Sequence, residues 1–121
     1  MVNKVLFGAS FFAMTAVMLG AFGAHALRAK LTPEALAVWQ TAVQYQFYHA
    51  LGLLLVAVLL RQDEGVWLRA GAVAFAAGIL LFSGSLYGLA LGGPRWLGPI
   101  TPLGGLAFIL GWTCLAISAW K

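Results

Sequence analysis

The residues of this chain best equipped for chemistry lie close together. Gln44, Tyr45, Gln46, Tyr48 and His49 fall within six positions and lead directly into an apolar run, residues 51–60. At about 100° per residue, Thr41, Tyr45, Tyr48, His49 and Gly52 share one helix face, with Gln44 and Gln46 flanking it. Ser83, Ser85 and Tyr87 form a second polar set, and His25 stands alone. Amides, hydroxyls and imidazoles in such numbers can hydrogen-bond one another, hold a small polar ligand or ligate a metal.

These groups are set in an apolar chain. Of 121 residues, 63% are hydrophobic and 8% charged, against about 25% charged in soluble domains. A soluble protein of this size could not bury so much apolar surface, so the lipid bilayer is the expected solvent. Hydrocarbon offers no hydrogen-bond partners, and the polar face must therefore turn toward protein, water or headgroups. The charged residues (net +4) fall between apolar runs and read as interface anchors rather than a nucleic-acid surface. One cysteine, Cys114, excludes an intramolecular disulfide and a Cys-rich metal cage.

The elements that position the polar groups follow from the apolar runs. An all-α fold is expected, a single domain over residues 1–121, built as an integral-membrane antiparallel four-helix bundle with helices at about 5–24, 33–60, 66–91 and 101–120. Residues 5–24 are long enough for a retained span, whereas a signal h-region has about 7–15 residues. Thr32-Pro33 and Thr101-Pro102 both read as a cap followed by a first-turn proline.

Small residues recur at heptad-like spacing in three helices: Ala9, Ala13, Ala16, Gly20 and Gly23; Gly71, Gly78 and Ser85, with Ala74, Leu81 and Gly88 between; and Gly104, Ala107, Gly111, Cys114 and Ser118. Such seams let backbones approach closely in lipid. Phe7, Phe11, Met14, Met18 and Phe22, opposite the first seam, should face acyl chains. Trp39, Trp67, Trp96 and Trp120 fall near span ends and read as interfacial residues. Lys4, Arg61, Arg69 and Lys121 on one side, against Arg28, Lys30 and Arg95 on the other, favour cytoplasmic termini.

The candidate pocket comprises His25, Tyr45, Gln46, Tyr48, His49, Ser83, Ser85 and Tyr87. The plainest reading makes these residues interhelical hydrogen-bonding glue. A sharper one is a pocket for a lipid, quinone or other membrane-soluble molecule. The sharpest is a haem or metal site on His25 and His49, the weak candidates for ligands. No cofactor is expected. Beyond the interfacial first turns of the second helix, which hold Glu34, no Asp or Glu lies within a span, and no catalytic triad, zinc motif or phosphate loop occurs, so catalysis is not expected. The leading expectation is a structural or accessory component that self-associates or docks to a larger membrane complex, since the small seams offer more close-packing surface than one bundle needs.

Four stretches also carry a family likeness: Gly20-Ala-Phe-Gly-Ala-His-Ala-Leu27, Tyr45-Gln-Phe-Tyr-His-Ala-Leu-Gly52, Phe82-Ser-Gly-Ser-Leu-Tyr87 and Ile100-Thr-Pro-Leu-Gly-Gly105. With them the chain resembles the YgdD-like family of small bacterial inner-membrane proteins, which has mitochondrial relatives in eukaryotes. The resemblance implies a four-span protein without an established activity. It supplies no catalytic residues, and it places His25, Tyr45, Tyr48, His49, Ser83, Ser85 and Tyr87 inside family motifs.

Overall fold

Each of the four apolar runs forms a helix long enough to cross hydrocarbon, which needs about 20 residues. In a computed structural model that describes residues 1–120, these are α1 (Val2–Leu27), α2 (Pro33–Leu60), α3 (Val66–Ala90) and α4 (Leu97–Trp120). Lys121, counted above with the basic residues near the termini, lies outside the described residues.

The caps explain where the helices begin and end. Thr32 is extended and its hydroxyl accepts a hydrogen bond from the Ala35 N–H at 3.1 Å, with Pro33 at the first helical position. That start agrees with the reading of Thr32-Pro33. The end of α3 is a Schellman motif. Gly92 adopts φ +88°, and the N–H groups of Gly92 and Gly93 return to the carbonyls of Leu89 (3.1 Å) and Gly88 (2.8 Å). This uses the left-handed conformation that glycine adopts readily.

The second Thr-Pro pair does not start its helix. α4 begins at Leu97, four residues before the expected Thr101, and Pro102 lies inside it. The preceding loop is already coiled: Leu97 and Gly98 donate to the carbonyls of Pro94 (3.1 Å) and Arg95 (3.0 Å). Pro99 then falls in the first turn, where a missing N–H costs no helical bond. The Thr101 hydroxyl is turned sideways to Ser85 instead.

Two segments depart from α-helical winding. α1 extends past its expected end as a π-helical turn, Gly23–Leu27. In α3 a π-helical segment, Ile79–Ser83, separates α-helical Val66–Gly78 from Gly84–Ala90. Such bulges change the direction of the side chains that follow them.

α2 and α3 form the centre. Over an 18-residue apolar stretch of each, buried residues make up 44% and 33% in α2 and α3, against 17% in α1 and 22% in α4. The closest backbone approaches join α1 to α2, α2 to α3 and α3 to α4. Val56, Leu60, Phe75 and Ser83 are the largest fully buried side chains.

The small seams are what make these approaches possible. Ala9, Ala16 and Gly23 are buried, and Phe7, Phe11, Met14, Met18 and Phe22 are exposed. Gly71 meets the backbone of Gly111, Gly78 meets Phe108, and Gly104 meets the backbone of Phe82. Leu81 departs from the expected seam and is exposed. Most of the small-residue surface is thus already covered inside one bundle.

Candidate functional site

Gln46, read from sequence as a flank, is the centre of the polar core. The buried arc of α2 lies between His49 and Gln46, which are 5% and 4% exposed. The Gln46 amide nitrogen donates to the Phe12 carbonyl (2.9 Å) and to the Thr15 hydroxyl (2.8 Å), both on α1. Its amide oxygen accepts from the Tyr87 hydroxyl of α3 at 2.6 Å. One side chain therefore ties three helices, with both amide hydrogens and the oxygen engaged.

His49 sits in a second cluster. Its Nδ1 lies 2.8 Å from the Tyr45 carbonyl, which can only accept, so Nδ1 carries the proton. Its Nε2 accepts the Trp112 indole N–H of α4 at 3.1 Å. These two partners define a neutral ring with one tautomer. The imidazole also stacks on Phe108, with centroids 3.6 Å apart and planes at 8°.

The serines serve other helix pairs. The wholly buried Ser83 donates to the Ala42 carbonyl of α2 at 2.7 Å. Ser85 donates to the Phe82 carbonyl at 3.0 Å and shares a 2.6 Å bond with Thr101 of α4. Trp39 is a further tie, and its indole donates to the Leu19 carbonyl at 2.9 Å. Among the described residues, no buried side-chain nitrogen or oxygen lacks a partner.

The single pocket expected from sequence is therefore divided. Gln46, Tyr87, Ser83 and Ser85 lie within the hydrogen-bonded core, and His49 borders it. Tyr45 is on the edge of the buried arc and 38% exposed. Tyr48 must be removed from the pocket. It is 54% exposed and lines a separate lipid-facing groove between α1 and α2 with Val17, Gly20, Val43 and Phe47. The reason is rotational: Tyr48 is one residue, about 100°, away from His49 on the side opposite Gln46. His25 is exposed in the π-helical turn and also leaves the set.

The haem or metal reading loses its geometry. His49 would have to release Trp112 or the Tyr45 carbonyl to ligate anything. No group of three or more His, Cys, Asp or Glu residues suited to a metal occurs among the described residues.

Four participants were missed in the sequence: Thr15, Trp39, Thr101 and Trp112. Trp39, expected at headgroup level, is only 3% exposed, with Gly23 beneath it and the Tyr87 ring at 4.7 Å. Trp112 did carry a signal. It is the tryptophan farthest from a span end, and an indole N–H at mid-membrane needs an acceptor.

A furrow opens to the lipid side between α2 and α4. Its volume is about 580 Å³, and Tyr45, His49, Phe82, Phe108, Ile109 and Trp112 are among its walls. Among the described residues no charged side chain lines it, and Tyr45 supplies its only hydroxyl.

The core predicts its own mutational behaviour. Gln46→Leu is expected to cost about 1–2 kcal/mol in a thermal unfolding series in detergent, since interhelical hydrogen bonds in membrane bundles average about 0.6 kcal/mol and three are lost. The double variant Gln46→Leu/Tyr87→Phe is expected to cost less than the sum of the singles, because the second change removes a partner already stranded. Strict additivity would exclude the three-helix tie.

The chain is similar along most of its length to membrane proteins of two well-separated bacteria. The UPF0382 membrane protein YwdK of Bacillus subtilis (strain 168) is 51% identical over 111 residues, 90% of this chain and 89% of the relative. The UPF0382 inner membrane protein YgdD of Escherichia coli (strain K12) is 40% identical over 103 residues, 85% of this chain and 79% of the relative. No solved structure matches. A family described as a protein of unknown function, DUF423, matches residues 19–105. With four membrane-crossing helices, matched family residues over most of its length and relatives named as membrane proteins, this chain belongs to the DUF423 family and is an integral membrane protein.

Proposed function

We propose that this protein binds a neutral, membrane-soluble ring compound of the quinone type in the furrow between α2 and α4, without catalysing a reaction on it. The observation that carries this reading is the furrow's lining, which is aromatic, uncharged and open toward lipid, with one free-standing hydroxyl on Tyr45. Aromatic walls favour a planar ring, each offset or edge contact adding about 0.5–1.5 kcal/mol. The polar atoms of His49 and Trp112 already satisfy each other, which leaves the Tyr45 hydroxyl to donate to a ring carbonyl. A phosphate headgroup would find no cation here and would be desolvated without compensation.

The reading also includes a placement. The count of Lys4, Arg61, Arg69 and Lys121 against Arg28, Lys30 and Arg95, four to three, supports placing both termini on the cytoplasmic side of a bacterial inner membrane. The furrow then runs from Pro102, toward the end of the bundle away from the termini, to Trp112 near mid-span.

The test is a titration of the detergent-solubilised protein with a benzoquinone bearing a short side chain, read by quenching of tryptophan fluorescence. Saturable quenching is expected, and Tyr45→Phe should weaken it about fivefold, the equivalent of a hydrogen bond of about 1 kcal/mol. Quenching that rises linearly with quinone and ignores Tyr45 would overturn the reading.

A further inference from the structure

A second cavity lies directly below the first. It has a volume of about 480 Å³, and Leu59, Leu68, Leu115, Ala116 and Ala119 line it, with Gln62 and Asp63 at the end nearest the turn between α2 and α3. Trp112 belongs to the walls of both cavities.

The two cavities lie on one continuous stripe of each helix. On α4 the lining positions Pro102, Gly105, Ile109, Trp112, Ala116 and Ala119 recur at alternating intervals of 3 and 4, which is one helix face. On α2, Tyr45 and His49 line the upper cavity and Leu59 continues the same face below, with Gln62 and Asp63 in the turn that follows the helix. Between them Gly52 and Val56 are buried, with the Phe75 ring against Gly52. Phe75 in turn meets the edge of Trp112, with centroids 4.8 Å apart. Trp112 therefore stands between two cavities that lie end to end along one side of α4, and any occupant of both must pass over its ring.

The combined length of the two cavities constrains such an occupant. From Pro102 to Ala119 is 119 − 102 = 17 residues, or about 26 Å of helix at 1.5 Å per residue. The whole hydrocarbon layer is about 30 Å thick. An acyl chain anchored in one leaflet reaches only about halfway. We infer that the two cavities together take a ring compound with an extended polyisoprenoid tail that crosses the bilayer midplane: the ring against Tyr45 and Phe82, the tail over Trp112 and along Leu115 and Ala116. The polar groups of Gln62 and Asp63 mark where the apolar path ends.

This inference rests on the ring-binding reading, and its test separates the two. The full chain in detergent is titrated with benzoquinones of one headgroup carrying one or four isoprene units. The four-unit compound is expected to bind at least tenfold tighter. Ala116→Leu and Ala119→Leu narrow the lower cavity at positions that are exposed, so each gives a folded comparison should the other fail. In each variant the ratio of the two affinities is expected to fall toward one. Equal binding of the two compounds by the parent chain, or a tail advantage undiminished in both variants, overturns the midplane-crossing tail while leaving ring binding intact. Saturable binding of neither compound overturns the ring-binding reading and the tail with it.

Discussion

A Gly104→Ala chain is expected to unfold well below its parent, although only one methyl group is added. A Cβ at this position would run into the backbone nitrogen and Cα of Phe82. A side chain could turn aside, but a backbone cannot, and Phe82 sits in the π-helical segment that presses α3 against α4. Overpacking of this kind costs about 1–3 kcal/mol, and more where backbone must move. Gly84→Ala is the internal comparison. Nothing lies within 4 Å of a Cβ there, and alanine favours the helix by about 1 kcal/mol. Melting curves of the two variants in the same detergent should therefore move in opposite directions. Equal curves would mean that α3 and α4 stand farther apart than their glycines require.

Trp39→Ala is the second large loss. Its indole fills the space between Gly23 of the π-helical turn and the Tyr87 ring, and it donates to the Leu19 carbonyl. Removing it leaves a cavity, for which large-to-small aromatic substitutions cost about 3–5 kcal/mol. Trp39→Phe keeps most of the volume and is expected to lose mainly the hydrogen bond, about 1 kcal/mol. Trp120, which is 92% exposed, supplies the contrast: Trp120→Ala should leave the melting curve near the parent's. If Trp39→Ala behaved like Trp120→Ala, the residue would be an interfacial anchor after all.

That contrast marks how far the sequence could be read. The four spans and the lipid-facing side of α1 were legible because composition and 3.6-residue periodicity speak for whole helices. The start of α2 was legible because Thr32 and Pro33 act locally. Thr101-Pro102 offered the same local pattern and misled, because a tertiary partner, Ser85, claimed the hydroxyl. Trp39 misled for a related reason. Its distance from a span end says interface, and only the glycine at position 23 on another helix makes room for it. The polar face of α2 was found as a set but not resolved. A window of about 100° holds Tyr45, Tyr48 and His49 together, while the neighbouring helices cover only part of it. The cross-helix partners Thr15 and Trp112 lie 31 and 63 residues from Gln46 and His49. No local pattern encodes such separations.

The close pairing of α1 with α2 and of α3 with α4 bears on how such a chain enters a bilayer. Each pair is a helical hairpin that carries internal polar partners: Trp39 with Leu19 and Gln46 with Phe12 in the first, Ser85 with Thr101 in the second. Among the described residues, the side-chain hydrogen bonds that join one hairpin to the other are Ser83 to Ala42, Tyr87 to Gln46 and Trp112 to His49. Biogenesis can then proceed in two steps, insertion of each hairpin with some of its donors already sheltered, followed by a docking event that gives Ser83, Tyr87 and Trp112 their acceptors.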